Sequence, residues 1–236
     1  MLKIIICFFI LFSLSFFDPM GGKERKTEAE RTAFLEDESQ SLFEEMGLDG
    51  LVRPDAFKLA YTGYKKLNKD NSPLLTLIDF SQPSTKKRMY VLDLVKKKIL
   101  FVSYVSHGRN SGGNYATSFS NRDGSHQSSL GFYHTADTYN GGNGYSLRLD
   151  GLEKGINDKA RQRAIVIHGA DYCSEKVIRS TGRLGRSFGC PALPRELNKP
   201  IIDTIKGGSL LFIYADQPGY LASSEVLKDG APAFHV

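Results

Sequence analysis

Cys190 stands in GRLGRSFGCPAL, residues 182–193, where three glycines, two arginines and a proline crowd around one thiol. A thiolate is a strong nucleophile, and a cysteine in a positively charged, glycine-opened turn suits acyl transfer. Gly189 permits a tight backbone and the close approach of a substrate. Pro191 has no N–H, so oxyanion donors at this turn are expected among the amides of Cys190 or its predecessors. Arg183 and Arg186 are expected to favour the thiolate and to suit a substrate carboxylate. The thiol also needs a base. His168 closes the apolar run Ile165–Ile167 in RAIVIHGA, where a strand end would hold it rigidly yet open to a loop.

Plain structural readings compete at each position. Cys190 could be a small filler in a loop, and His168 a strand-end histidine with satisfied hydrogen bonds. His107, in SHGRNSG, either faces the cleft or supports its loop. Tyr172 lines the cleft or the core, while His126 and His134 read as structural or solvent-facing. HGADYC, residues 168–173, lacks regular ligand spacing, so no metal is expected. In an oxidising compartment Cys173 and Cys190 could pair as a disulfide. The convergence of several features on one turn favours a free, nucleophilic Cys190.

The elements that must position these residues follow from periodicity. Residues 23–72 read as a helical segment, with Pro54 at a helix start and Phe57, Ala60, Tyr61 and Tyr64 on one face. From Pro73 the pattern becomes short β-rich runs: LLTLIDF, RMYVLDLV, KILFVSYV, LGFYHT, YSLRLDG, AIVIHG and SLLFIYA. Lys96–Lys98 reads as a solvated hairpin tip, and a short helix is expected around Arg195–Thr204. Many short strands, a long Gly/Ser-rich passage at 107–144 and few helices predict a mainly β sandwich or barrel over 73–216. Residues 217–236 read as a tail. With 236 residues, 41% hydrophobic and 24% charged, the chain is long enough for a real core. A net charge of +5 without a long basic tract gives no nucleic-acid footprint. Residues 1–22 hold Lys3 and an apolar run, Ile4–Phe17, expected to act as an export signal or an uncleaved membrane anchor. A monomer at the cell envelope is the expectation.

HGA at 168–170 followed by GRSFGCPAL at 185–193 resembles the murein L,D-transpeptidase catalytic domain, a family of cysteine enzymes that cross-link peptidoglycan. The likeness runs through VSHGRNSG, FSNRDGSHQSSLGFY and GYSLRLDGLEKGINDKARQRAIVIHGA, over roughly residues 74–215. Phe188 replaces the histidine that precedes Gly-Cys in the better-known branch, and Pro191-Ala192-Leu193 also departs from it. The match is to a divergent branch with a GRSxGC turn. The resemblance implies an L,D-transpeptidase-like fold with Cys190 as nucleophile and His168 as base and then acid. It further implies that the carbonyl of Gly169 orients the imidazole, that the amides of Gly189 and Cys190 stabilise the oxyanion, and that Ser187 and Arg186 shape the acyl-donor site. The implied reaction attacks the L-to-D bond of a peptidoglycan stem tetrapeptide, releases D-Ala and passes the acyl group to an amine, with no cofactor. An L,D-carboxypeptidase using the same residues and a non-catalytic peptidoglycan-binding module are the competing functions.

Overall fold

The computed structural model describes residues 27–228; the apolar run expected as a signal or anchor lies outside the described residues. Helix α1 (Glu28–Glu45) starts where Thr27 and Glu30 form a reciprocal capping box. Helix α2 (Pro54–Leu67) places Pro54 in its first turn, where a missing N–H is harmless, and buries Phe57, Ala60 and Tyr61. This helix lies directly on the sheet: a Cβ at Gly63 would fall 2.0 Å from the Phe132 ring. The residue-72 boundary therefore separates elements that share one core.

Eight strands form the sheet: β1 (Leu74–Asp79), β2 (Met89–Asp93), β3 (Lys98–Ser103), β4 (Gly131–Gly141), β5 (Gly144–Gly151), β6 (Val166–Gly169), β7 (Ala192–Leu193) and β8 (Leu210–Tyr214). Their spatial order is β3-β2-β1-β8-β4-β5-β6-β7. The pairs β1–β8 and β6–β7 are parallel, and the others are antiparallel. Lys96 and Lys97 form the tip between β2 and β3, as the charge run predicts. Strands β1, β2 and β8 are buried nearly throughout, and Phe132 stacks on Phe212 at 4.2 Å to make the centre of the core.

The two sheet edges approach each other. Ser106, just past β3, exchanges backbone hydrogen bonds with Ala192 of β7 at 2.8 and 3.3 Å. This bridge nearly closes the sheet and brings the Gly/Ser-rich passage over the β6–β7 end. Helix α3 (Glu175–Thr181) and helix α4 (Arg195–Ile205) flank that end, and α4 packs on β6. The C-terminal stretch, expected as a tail, forms helix α5 (Pro218–Ser223), which buries Tyr220 and Leu221. Buried Glu153 explains why it stays: its carboxylate accepts from Phe132 N–H, the Tyr220 hydroxyl and the Ser224 hydroxyl.

Candidate active site

His168 sits near the end of β6, opposite Ser146 of β5 and Ala192 of β7. The strand can end here because Gly169 has no side chain: a Cβ there would meet Asn198 Cβ at 3.1 Å and hold α4 away. The imidazole is 4% exposed, and its Nδ1 lies 3.2 Å from the Gly169 carbonyl. A carbonyl can only accept, so Nδ1 carries the proton and Nε2 is left as the basic nitrogen. Burial, with a smaller contribution from the Arg195 charge, lowers the pKa of His168 below its ordinary value despite the opposing Gly169 bond. The ring is therefore neutral near pH 7.

Cys190 enters the same place from β7. His168 N–H donates to the carbonyl of Pro191 at 3.4 Å, so the backbone beside the thiol is hydrogen-bonded to the backbone of the histidine. The Cys190 thiol donates to the Ala164 carbonyl at 3.6 Å. Burial raises its pKa, with the Val166 amide and the Arg163 charge acting in the opposite direction. Among the described residues no hydrogen bond joins thiol and imidazole. The resting pair is a neutral imidazole on β6 and a neutral thiol in the turn that leads into β7. Cys173 is buried, and neither it nor Cys190 is bridged.

The turn around Cys190 departs from several expectations. Gly189 has φ +127°, a region that favours glycine, and a Cβ there would sit 2.9 Å from the Gln127 carbonyl. Its N–H, expected to face an oxyanion, donates instead to Ser187 Oγ at 3.0 Å. Ser187 is buried and donates its hydroxyl to the Cys190 carbonyl at 2.6 Å, so it ties the turn together rather than facing a substrate. The Cys190 amide keeps no protein acceptor beyond its own thiol among the described residues. Among the described residues neither Arg183 nor Arg186 is hydrogen-bonded to the thiol, which donates to the Ala164 carbonyl. Arg183 donates to the Leu184 carbonyl, and Arg186 to the carbonyls of Arg109 and Gly112.

His107 is not a cleft residue. It is 1% exposed, and its Nδ1 accepts from the guanidinium of fully buried Arg88 at 2.8 Å. Its ring meets Phe80 edge-on, and its carbonyl accepts the Ser187 N–H. Burial and the Arg88 charge push its pKa down to about 4. Tyr172 is half-buried against the nucleophile's turn. Its carbonyl accepts from Gly185 N–H at 2.9 Å, and a Cβ at Gly185 would collide with its own at 2.4 Å.

Sequence reasoning missed the residues that frame Cys190 from the Gly/Ser-rich passage. Ser128 Oγ donates to the Gly189 carbonyl at 3.0 Å. His126, at φ +54°, meets the 65%-exposed Phe188 with its ring tilted at a centroid distance of 4.7 Å, and the Arg109 guanidinium lies over the Phe188 ring at 5.5 Å. The Arg163 guanidinium reaches the same passage. No periodic signal marks these residues; the density of serine in residues 103–129 was the available hint of side-chain-to-backbone bonding.

The description "L,D-transpeptidase catalytic domain" belongs to the family model that matches residues 49–214. Among solved structures the chain is similar to an LD transpeptidase, LdtMt1, in complex with imipenem: 14% identity, 60% of this chain, 59% of that chain, TM-score 0.38. It is also similar to an L,D-transpeptidase from Mycobacterium smegmatis: 13% identity, 61% and 59% coverage, TM-score 0.38. A third similar structure is an L,D-transpeptidase from Stackebrandtia nassauensis: 12% identity, 77% and 78% coverage, TM-score 0.38. The chain thus spans about three fifths of the length of the first two. No curated protein matches it. With most of the described chain, from the turn before α2 to the end of β8, inside the matched residues, the chain belongs to the L,D-transpeptidase catalytic domain family.

Proposed function

We propose that this protein is an exported peptidoglycan L,D-transpeptidase that works through an acyl-enzyme on Cys190. The carrying observation is the β6–β7 pairing, which hydrogen-bonds His168 N–H to the carbonyl of Pro191 and leaves Nε2 as the base beside the nucleophile's strand. In the proposed reaction the thiol leaves the Ala164 carbonyl and gives its proton to His168 Nε2. The sulfur attacks the carbonyl carbon of the L-to-D bond in a stem tetrapeptide, and the Cys190 amide donates to the oxyanion. Collapse breaks the C–N bond; the departing D-Ala amine takes the proton from His168, leaving a thioester. An amine of a second stem then attacks the thioester and loses its proton to His168, and the thiol is restored. His168 as a neutral base and Cys190 as a neutral thiol suit this sequence, since the proton has a place to go at each step.

Purified protein incubated with tetrapeptide muropeptides and a free amine acceptor tests the reading. Cross-linked dimers are the expected product; tripeptides alone would identify an L,D-carboxypeptidase. Mass spectrometry after exposure to imipenem, whose strained lactam is an acyl donor, checks the acyl-enzyme step. A folded sample without an adduct on Cys190 would point to a binding module.

A further inference from the structure

Arg163 lies immediately before Ala164, whose φ of +53° turns its carbonyl toward the Cys190 thiol. Its side chain runs the other way, into the Gly/Ser-rich passage. Nη1 donates to the Ser120 carbonyl at 2.8 Å and the Ser129 hydroxyl at 2.6 Å; Nη2 donates to the Gln127 carbonyl at 2.7 Å and the Ser125 hydroxyl at 3.2 Å. No carboxylate pairs with it among the described residues. Four neutral acceptors hold a half-buried cation, so its charge is not cancelled locally. That charge stands at the nucleophile's turn, because Nη2 is 3.5 Å from the point where a Gly189 Cβ would lie.

We propose that Arg163 is a positioning residue for Cys190, pinning residues 120–129 behind the Gly189–Cys190 turn and holding a positive charge beside the thiol. The proposal rests on Cys190 as the nucleophile. Residues 120–129 matter to the turn because Ser128 Oγ caps the Gly189 carbonyl and Gln127 O occupies the space a side chain at 189 would need. Removing the guanidinium frees four acceptors at once and withdraws the cation that opposes burial of the thiolate. The other titratable group facing the thiol is Tyr172, while Arg163 itself faces Tyr133 and Asp123. His168 stands on the adjoining strand with Arg195 facing it.

The test is the pH profile of iodoacetamide alkylation at Cys190 in the full chain, read by peptide mass mapping. Arg163→Gln is expected to move the midpoint upward by about one pH unit or more, slowing alkylation at pH 7 about tenfold. Arg163→Lys keeps the charge and is expected to recover most of that shift. An unmoved profile in Arg163→Gln, or equal shifts in the two variants, overturns the proposal. Should Arg163→Gln fail to fold, Ser129→Ala removes the 2.6 Å acceptor together with that hydroxyl's own bond to the Ser120 carbonyl, and leaves the cation in place; at least about twofold slower alkylation is expected, and an unchanged rate overturns the proposal. Alkylation reads the thiol alone, so a failure here is distinct from failure to form an imipenem adduct in the wild type.

Discussion

The loop after β3 and the end of β6 carry the same dipeptide, His-Gly, at 107–108 and 168–169, and both histidines are buried and neutral. Their surroundings give them different work. At β6 a backbone carbonyl holds Nδ1, so the proton sits there and Nε2 is the basic nitrogen. In the loop after β3 a buried guanidinium donates to Nδ1, and the His107 carbonyl holds the Ser187 N–H. Burial alone therefore does not mark a base. The chemistry is decided by whether the neighbour of the ring is an acceptor, which leaves a basic nitrogen, or a cation, which consumes it.

Substitutions at the two ends should break this comparison in opposite ways. Cys190→Ser and His168→Ala are expected to lower acyl-enzyme formation with imipenem by about a thousandfold or more, with little change in the unfolding midpoint. His107→Ala should do the reverse. It orphans a donor of fully buried Arg88, which is expected to destabilise the fold by about 2–4 kcal/mol in denaturant titration. A His107→Ala protein as stable as wild type would contradict its structural role.

The next effect is acid sensitivity. Between its ordinary pKa of 6.5 and about 4, His107 binds a proton in the unfolded chain but not in the folded one. Stability therefore rises with pH across this window and is full above 6.5. On descent to pH 4 about 3 kcal/mol is expected to be lost, and His168 acts in the same direction. His107→Asn, which can offer Arg88 an acceptor without titrating, should flatten most of that slope; an unchanged slope would remove His107 as its source.

Smaller still is the contribution of Arg183. It is held on the Leu184 carbonyl and makes no hydrogen bond to the thiol, so Arg183→Ala is expected to leave the alkylation rate within about twofold. A tenfold slowing would restore the idea that the arginines of GRLGRSFGC tune the thiol.

Much of the fold was legible in local pattern. RMYVLDLV and KILFVSYV around the lysine run became β2 and β3, AIVIHG became β6, and the helix expected near Arg195–Thr204 became α4. The failures have physical causes. β7 has two residues, too few to carry a period, and exists because His168 and Ser106 supply backbone partners. β4 runs past LGFYHT to Gly141 because β5 pairs with it along that length, where polar residues such as Asn140 show no hydrophobic alternation. α5 is held by Glu153, a residue far from it in the chain.

From sequence alone came a candidate nucleophilic thiol in a glycine-opened turn, a histidine at the end of an apolar strand, and their order in a family motif. These are local matters: the φ a residue can adopt, the face a strand buries, the nucleophilicity of sulfur. The tertiary structure decided which charges act on which groups. It tied Arg183 and Arg186 to backbone carbonyls, used the Gly189 amide inside the turn, buried His107 against Arg88 and set Arg163 against residues 120–129. Electrostatics and hydrogen bonding depend on distance in space and on burial, and neither is written in the spacing of residues along the chain.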